Sequence, residues 1–112
     1  MKYIKKKLAI DNVRLVDIAR KFDTPTYCYS YTQLKKNINS FKKNFKTFSP
    51  LICFAIKSNT NLNLIKEIKK FGLGADVVSM GELMMALKAG INPKKIVFSG
   101  VGKTASEISY AI

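Results

Sequence analysis

The sequence predicts an α/β protein: the first three βα units of a (β/α)8 TIM-type barrel, preceded by a short helix–strand N-terminal segment, an incomplete barrel. Three observations carry this. From residue 50 onward, short apolar runs alternate with helical periodicities across short connections, the pattern of parallel strands joined by right-handed helical crossovers. Each unit spans about 22 to 24 residues, close to one eighth of a barrel. The first apolar run, Leu51-Ile52-Cys53-Phe54-Ala55-Ile56, ends on an amine, Lys57, and then on the polar stretch Ser58-Asn59-Thr60-Asn61. Strand exits are where a barrel keeps its chemistry. Three units do not close a barrel, so the chain reads as the front portion of a larger enzyme; a small open α/β domain is the alternative.

The elements follow in order. Residues 13–22 place Leu15, Ile18, Ala19 and Phe22 on one helical face, and Thr24-Pro25 stops that helix because the residue before proline avoids helical geometry. Residues 26–30, aromatic-rich and short, read as a strand by propensity. From Tyr31 to about Phe48 a helix carries Leu34, Ile38, Phe41, Phe45 and Phe48 as its apolar stripe, with lysines opposite. Pro50 opens the strand ending at Lys57. Residues 62–71 are helical, with Leu64, Ile65, Ile68 and Phe71 inward and Gly72 as the C-terminal cap. Residues 74–79 form a second buried strand. Residues 81–88 are helical with Leu83, Met84 and Leu87 inward, and Gly90 ends them. Asn92-Pro93 turns into a third strand at 95–99, Gly100-Val101-Gly102 is a loop, and residues 104–112 begin another helix.

Composition bounds the function classes. The 112 residues are 47% hydrophobic and 24% charged, which suits one globular domain. No apolar stretch approaches the roughly 20 residues that cross a bilayer, and the basic start is followed by no secretory pattern. The expectation is a cytoplasmic protein with no membrane partner. The net charge of +13 raises nucleic acid, but 18 of the 20 basic residues are Lys, spread in pairs along the chain. Specific readers of bases and phosphates favour the planar fork of Arg. The lysines therefore read as solvated helix faces, with no nucleic-acid partner. Cys28 and Cys53 form no C-x-x-C pair and the chain has no His, so a zinc site lacks ligands; both thiols are expected buried and reduced.

Lys57, Ser79 and Ser99 lie at the strand ends facing one mouth of the barrel, with Asp76 inside the second strand and Glu82 on the following helix. An amine held at a dry strand end can lose its proton and attack a carbonyl, the first requirement of a Schiff-base enzyme. The plain alternative is a lysine reaching for water. Asp76, on the neighbouring strand, either serves that amine and a cofactor or forms a structural ion pair with it. Glu82 sits in the first turn of its helix, where a carboxylate favours the dipole. Gly100-Val101-Gly102-Lys103-Thr104 lacks the length and order of a phosphate loop and reads as a tight turn.

Several motifs resemble a known family. Phe54-Ala55-Ile56-Lys57-Ser58-Asn59, Gly74-Ala75-Asp76-Val77-Val78-Ser79 with Gly81-Glu82-Leu83, Ala89-Gly90-Ile91, and Lys95-Ile96-Val97-Phe98-Ser99-Gly100-Val101-Gly102-Lys103-Thr104 look like the opening of the diaminopimelate decarboxylases. Thr24-Pro25-x-Tyr27-x-Tyr29 matches the family's lead-in. These are fold type III, alanine-racemase-like enzymes. Ser58, where the family often has Ala, and Met80, where it often has Gly, depart from the pattern. The resemblance implies pyridoxal 5'-phosphate as cofactor, Lys57 as the catalytic lysine that holds it, and Asp76, Glu82 and Ser79 as cofactor-binding positions, with no metal. It implies decarboxylation of meso-2,6-diaminopimelate to L-lysine, a small-molecule amino-acid substrate, and a homodimer for the full-length enzyme. It also implies the domain plan: 1–30 as an N-terminal segment that joins a C-terminal β-domain, and 31–112 as the N-terminal part of the cofactor-binding barrel, inactive alone. Decarboxylases of ornithine, arginine or carboxynorspermidine, a non-catalytic cofactor binder and a basic nucleic-acid-binding domain are the rival readings.

Overall fold

A computed structural model describes all 112 residues. The chain divides into two units, Met1–Thr47 and Phe48–Ile112.

The first unit opens with antiparallel strands β1 (Lys2–Ile4), β2 (Lys7–Ile10) and β3 (Val13–Arg14), paired in that order. Lys2 pairs with Ala9 and Ile10 with Val13. Both connections are two-residue loops, and their residues all have positive φ: Lys5 47°, Lys6 63°, Asp11 48° and Asn12 68°. Positive φ at both loop positions is the geometry whose twist matches paired strands. The sequence reading assigned no strands here. Asp11-Asn12 was the legible signal, since both tolerate the left-handed region, whereas Lys5-Lys6 carries none.

Helix α1 (Leu15–Phe22) starts two residues later than the periodicity suggested, because Val13 and Arg14 pair with β2. Helix α2 (Tyr31–Asn44) begins at a cap built from two distant pieces of sequence. Ser30 Oγ accepts from the Gln33 amide at 3.0 Å, and the Ser30 hydroxyl donates to Asp11 Oδ1 at 2.7 Å. Asp11 Oδ2 accepts from the Thr32 amide at 3.0 Å. The Thr32 amide bond, then the Ser30 hydroxyl, hold the Asp11 carboxyl below its usual range.

Three expectations fail in this unit. Residues 26–30 form no strand, and Tyr27 is 91% exposed. Aromatic β-propensity is realised only beside a partner strand, and none pairs with this segment. Cys28, expected in a core, is accordingly exposed. The stripe of α2 is also largely uncovered: Ile38 is buried, while Phe41 and Phe45 stack at 4.7 Å between centroids with much of each ring in solvent. The α-helix stops at Asn44, and a 3₁₀ turn takes Lys46–Phe48.

The second unit is a parallel sheet with helical crossovers. Strands β4 (Cys53–Ala55), β5 (Gly74–Val77) and β6 (Ile96–Phe98) lie in that order. Helix α3 (Leu62–Lys70) connects the first pair, α4 (Met80–Lys88) the second, and α5 (Ala105–Ala111) follows β6. Ala55 is in register with Asp76, and Asp76 with Val97. Ile56, Ile65, Ala75, Val77, Leu83, Ala86, Ala89 and Ile91 form the core, with Phe54, Leu62, Met85, Ile96 and Phe98 packed against it. Gly72 takes φ +75° after α3, and its amide bonds to the Lys69 carbonyl at 2.8 Å, the left-handed helix end expected of glycine.

Two details differ from the sequence reading. The first strand is shorter than residues 51–56, because the chain turns into a 3₁₀ turn at Ile56–Ser58. It does not bury six residues: β4 is an edge strand, Leu51 is exposed, and only Ile56 is fully covered. On α4 the inward face is Leu83 and Ala86, while Met84 is exposed and Leu87 lies at the margin. Apolar side chains at 83, 84, 85 and 87 leave the helical phase ambiguous. Methyl-sized Ala86 wins the inner position because it lets the helix approach the sheet closely.

Candidate functional site

Side chains alternate across a strand, and this sorts the second unit's sheet into two faces. Ala75 and Val77 enter the core beneath the helices, as do Phe54 on β4 and Ile96 and Phe98 on β6. Cys53, Ala55, Gly74, Asp76, Val97 and Ser99 therefore belong to the opposite face, which no helix of this unit covers. Val97, in register with Asp76, is 47% exposed.

Asp76 is the one carboxylate within the parallel strands. Its Oδ1 accepts from the Ser99 hydroxyl at 2.5 Å. Ser99 is fixed in turn by its amide, which donates to the Val77 carbonyl at 2.9 Å and continues the β5–β6 ladder one residue past the strand. Burial, and secondarily the Asp76 charge, push the Cys53 thiol up.

Lys57 sits in the 3₁₀ turn directly beyond β4, at the C-terminal edge of the sheet. The turn is closed by the Asn59 amide on the Ile56 carbonyl at 2.9 Å and by the Ser58 hydroxyl on the Ala55 carbonyl at 2.7 Å. Lys57 is exposed, so nothing in these residues dries it as the sequence reading expected. Nor does the structural ion pair with Asp76 form. The ion pairs of the chain are Arg14–Asp17 and Lys70–Glu67, and the Lys57 amine stands without one.

Ser79 and Glu82 surround the start of α4. Ser79 Oγ accepts from the Glu82 amide at 3.3 Å, and Glu82 Oε2 accepts from the Val78 amide at 2.9 Å. The Ser79 hydroxyl is the N-cap of α4, and the Glu82 carboxylate closes back onto the amide of the residue before that cap rather than onto Ser79 itself. Replacing Ser79 with Ala is expected to cost about 1 kcal/mol of stability, read as a lower melting temperature; an unchanged melt would show that the cap carries nothing.

Glu107 is a further carboxylate at this edge, outside the residues singled out from the sequence. Its Oε1 accepts from the Met80 amide at 3.2 Å, and its Oε2 takes the Thr104 amide at 2.9 Å and the Thr104 hydroxyl at 3.0 Å. One carboxylate thus caps α5 and ties it to the first residue of α4. The signal was available as Thr104-x-x-Glu107, a capping box. The Thr104 and Met80 amides hold the Glu107 carboxyl below its usual range. A lowered folded-state value means stabilisation that is present above the unfolded glutamate range and lost as pH falls through the folded value. Glu107→Gln is therefore expected to lower stability at neutral pH and to flatten its decline below about pH 4.5, measured by urea unfolding across pH. Parallel pH profiles would contradict this.

The fold defines a class: an α/β domain built on a parallel sheet with helical crossovers, whose C-terminal edge is where such folds place small-molecule sites. Comparison with known proteins narrows it. Residues 31–112 match the family described as pyridoxal-dependent decarboxylase, pyridoxal binding domain, and the chain belongs to that family. It is 43% identical over 112 residues to a diaminopimelate decarboxylase of Aquifex aeolicus, across 100% of this chain and 26% of that protein. The crystal structure of diaminopimelate decarboxylase from M. jannaschii superposes with a TM-score of 0.94 at 37% identity, covering 99% of this chain and 27% of that one. A second structure of the M. jannaschii enzyme, in co-complex with L-lysine, gives 0.93 at 36% identity, covering 98% and 27%. The chain spans about a quarter of the length of these relatives.

The family's cofactor is pyridoxal phosphate, and the donor set fits it. An aldehyde can condense with a primary amine free of an ion pair, as Lys57 is, and the open sheet face carries a carboxylate and a hydroxyl, Asp76 and Ser99, as polar groups. At the start of α4 the Glu82 amide is taken by the Ser79 hydroxyl and the Met80 amide by the Glu107 carboxylate. In the loop at 100–104, Lys103 Nζ turns back onto the Gly100 carbonyl and lies 5.0 Å from the Phe98 ring centroid.

Proposed function

We propose that this chain forms part of a diaminopimelate decarboxylase, removing carbon dioxide from meso-2,6-diaminopimelate to give L-lysine. The observation that carries the reading is the unpaired Lys57 amine at the C-terminal edge of the sheet, beside the open face that bears Asp76. The identity to diaminopimelate decarboxylases along the whole chain, and L-lysine in the co-complex of one of them, support the choice of substrate.

In this reading β4, β5 and β6 are the first strands of an eight-stranded barrel, residues 31–112 belong to the cofactor-binding barrel, and residues 1–30 form a separate N-terminal segment. The open face of the sheet becomes the barrel interior. When bound, pyridoxal phosphate supplies an electron-withdrawing ring that takes up the electron pair left by a departing carboxylate. Lys57 anchors the cofactor through Nζ and yields its place to the substrate amine. Asp76 presents a negative charge that favours positive charge at the neighbouring nitrogen. Ser79 and Glu82 keep α4 seated so that the segment after β5 holds its shape along the rim. The exposed lysines are solvated faces with no nucleic-acid role, and the enzyme works as a cytoplasmic homodimer.

The test is substrate turnover by the intact polypeptide carrying this sequence. Stoichiometric L-lysine and carbon dioxide from meso-diaminopimelate, with far slower release from L-ornithine, L-arginine or carboxynorspermidine, is the expected result. Preference for one of those other substrates would overturn the assignment. Cofactor binding without carbon dioxide release from any of them would reduce the protein to a non-catalytic binder.

A further inference from the structure

We infer that Ser99 is a positioning residue: its hydroxyl holds the Asp76 carboxylate in one orientation on the open face of the sheet, at the end where Lys57 emerges. This rests on the proposed role of that face and deepens it. Three features carry the inference. First, the Ser99–Asp76 bond is short, 2.5 Å between oxygens, within the range of hydroxyl-to-carboxylate hydrogen bonds. Second, the donor is itself fixed, since the Ser99 amide is locked to the Val77 carbonyl at 2.9 Å and Gly100 turns the chain away at φ +95°. Third, no other hydrogen bond or ion pair holds the carboxylate, whose only further neighbour in electrostatic reach is the Cys53 thiol. Asp76 has no ion pair, and its register neighbours Ala55 and Val97 are apolar. Without Ser99 the Asp76 side chain has no hydrogen-bonding partner in these residues and is free to sample other rotamers.

Ser99 is thus distinguished from Ser79 at the same edge of the sheet. The Ser79 oxygen is spent on its own helix, whereas Ser99 reaches across to the adjacent strand, 23 residues earlier in sequence. A hydroxyl that only closed a local turn would bond to backbone; this one bonds to a carboxylate on the strand paired with the one that leads into Lys57.

The experiment is nuclear magnetic resonance on the full labelled chain, reading Asp76 χ1 from three-bond couplings, for wild type, Ser99→Ala and Ser99→Thr. A single Asp76 rotamer in wild type and Ser99→Thr, lost to averaging in Ser99→Ala with the amide spectrum otherwise kept, supports the inference. An averaged Asp76 in wild type, or an unchanged single rotamer in Ser99→Ala, overturns it. If Ser99→Ala does not fold, the wild-type and Ser99→Thr couplings decide. A second arm measures how fast added pyridoxal phosphate is captured at Lys57, trapped by borohydride. Capture joins the aldehyde carbon to Nζ with loss of water, and the reductant's hydride leaves a stable secondary amine. Ser99→Ala is expected to slow capture roughly tenfold, the scale of one hydrogen bond to a charged group, and Ser99→Thr to restore it. Absent capture in wild type would refute the functional reading while leaving the rotamer arm to judge Ser99.

Discussion

Lys57→Ala is expected to abolish covalent capture of pyridoxal phosphate and to lower decarboxylation by the intact enzyme on the order of 10³-fold or more, with little change in folding. The separation follows from where Lys57 lies. Its side chain is exposed and takes part in no ion pair, so its removal falls among surface substitutions that change stability by about 0.5 kcal/mol or less. The turn that presents it is held by the Asn59 amide and the Ser58 hydroxyl, neither of which the substitution touches. Lys57→Arg is expected to fail equally, because a guanidinium keeps the charge without a nucleophilic amine. Retained turnover in either variant, at normal melting temperature, would remove Lys57 from the chemistry.

Gly74→Ala is expected to be among the most damaging single substitutions for the fold. A Cβ at Gly74 would lie 2.1 Å from the Lys95 carbonyl oxygen and 2.9 Å from Cys53 Sγ. The thiol has room to rotate; the carbonyl does not, because it belongs to the backbone entering β6. The strand must therefore move, and the Ala75–Ile96 register with it. Overpacking of this kind costs typically 1–3 kcal/mol, and the backbone partner puts this case at about 3 kcal/mol, a large part of the 5–15 kcal/mol that holds a domain of this size. Urea unfolding should show the drop, and Cys53→Ala should not rescue it. A midpoint equal to wild type would mean that β5 and β6 tolerate separation.

The parallel half of the chain was legible in the sequence because each strand there is an apolar run beneath an amphipathic helix, and the period changes from 2 to 3.6 at marked turns. Gly72 and Gly90 announced their helix ends for the same reason. The N-terminal strands were not legible, since Lys5 and Lys6 adopt a loop geometry that lysine does not advertise. Residues 26–30 carried strand chemistry without a partner to realise it. At the candidate site, Lys57 stood out because an apolar run ends there, and Asp76 because a carboxylate interrupts a buried strand. The Ser99–Asp76 bond was not readable, as it joins residues 23 apart through a strand register that only the fold fixes. The link from Glu107 to Met80 spans 27 residues and was hidden likewise, although the local cap at Thr104 was written in the sequence.

The attachment point of the cofactor is the claim on which the rest depends. Incubating the protein with pyridoxal phosphate, reducing with borohydride and mapping the label by peptide mass spectrometry tests it directly against the 18 lysines present. The expected result is one label per chain, on the peptide containing Lys57. A label on a different lysine, or one spread evenly over many, would contradict the account.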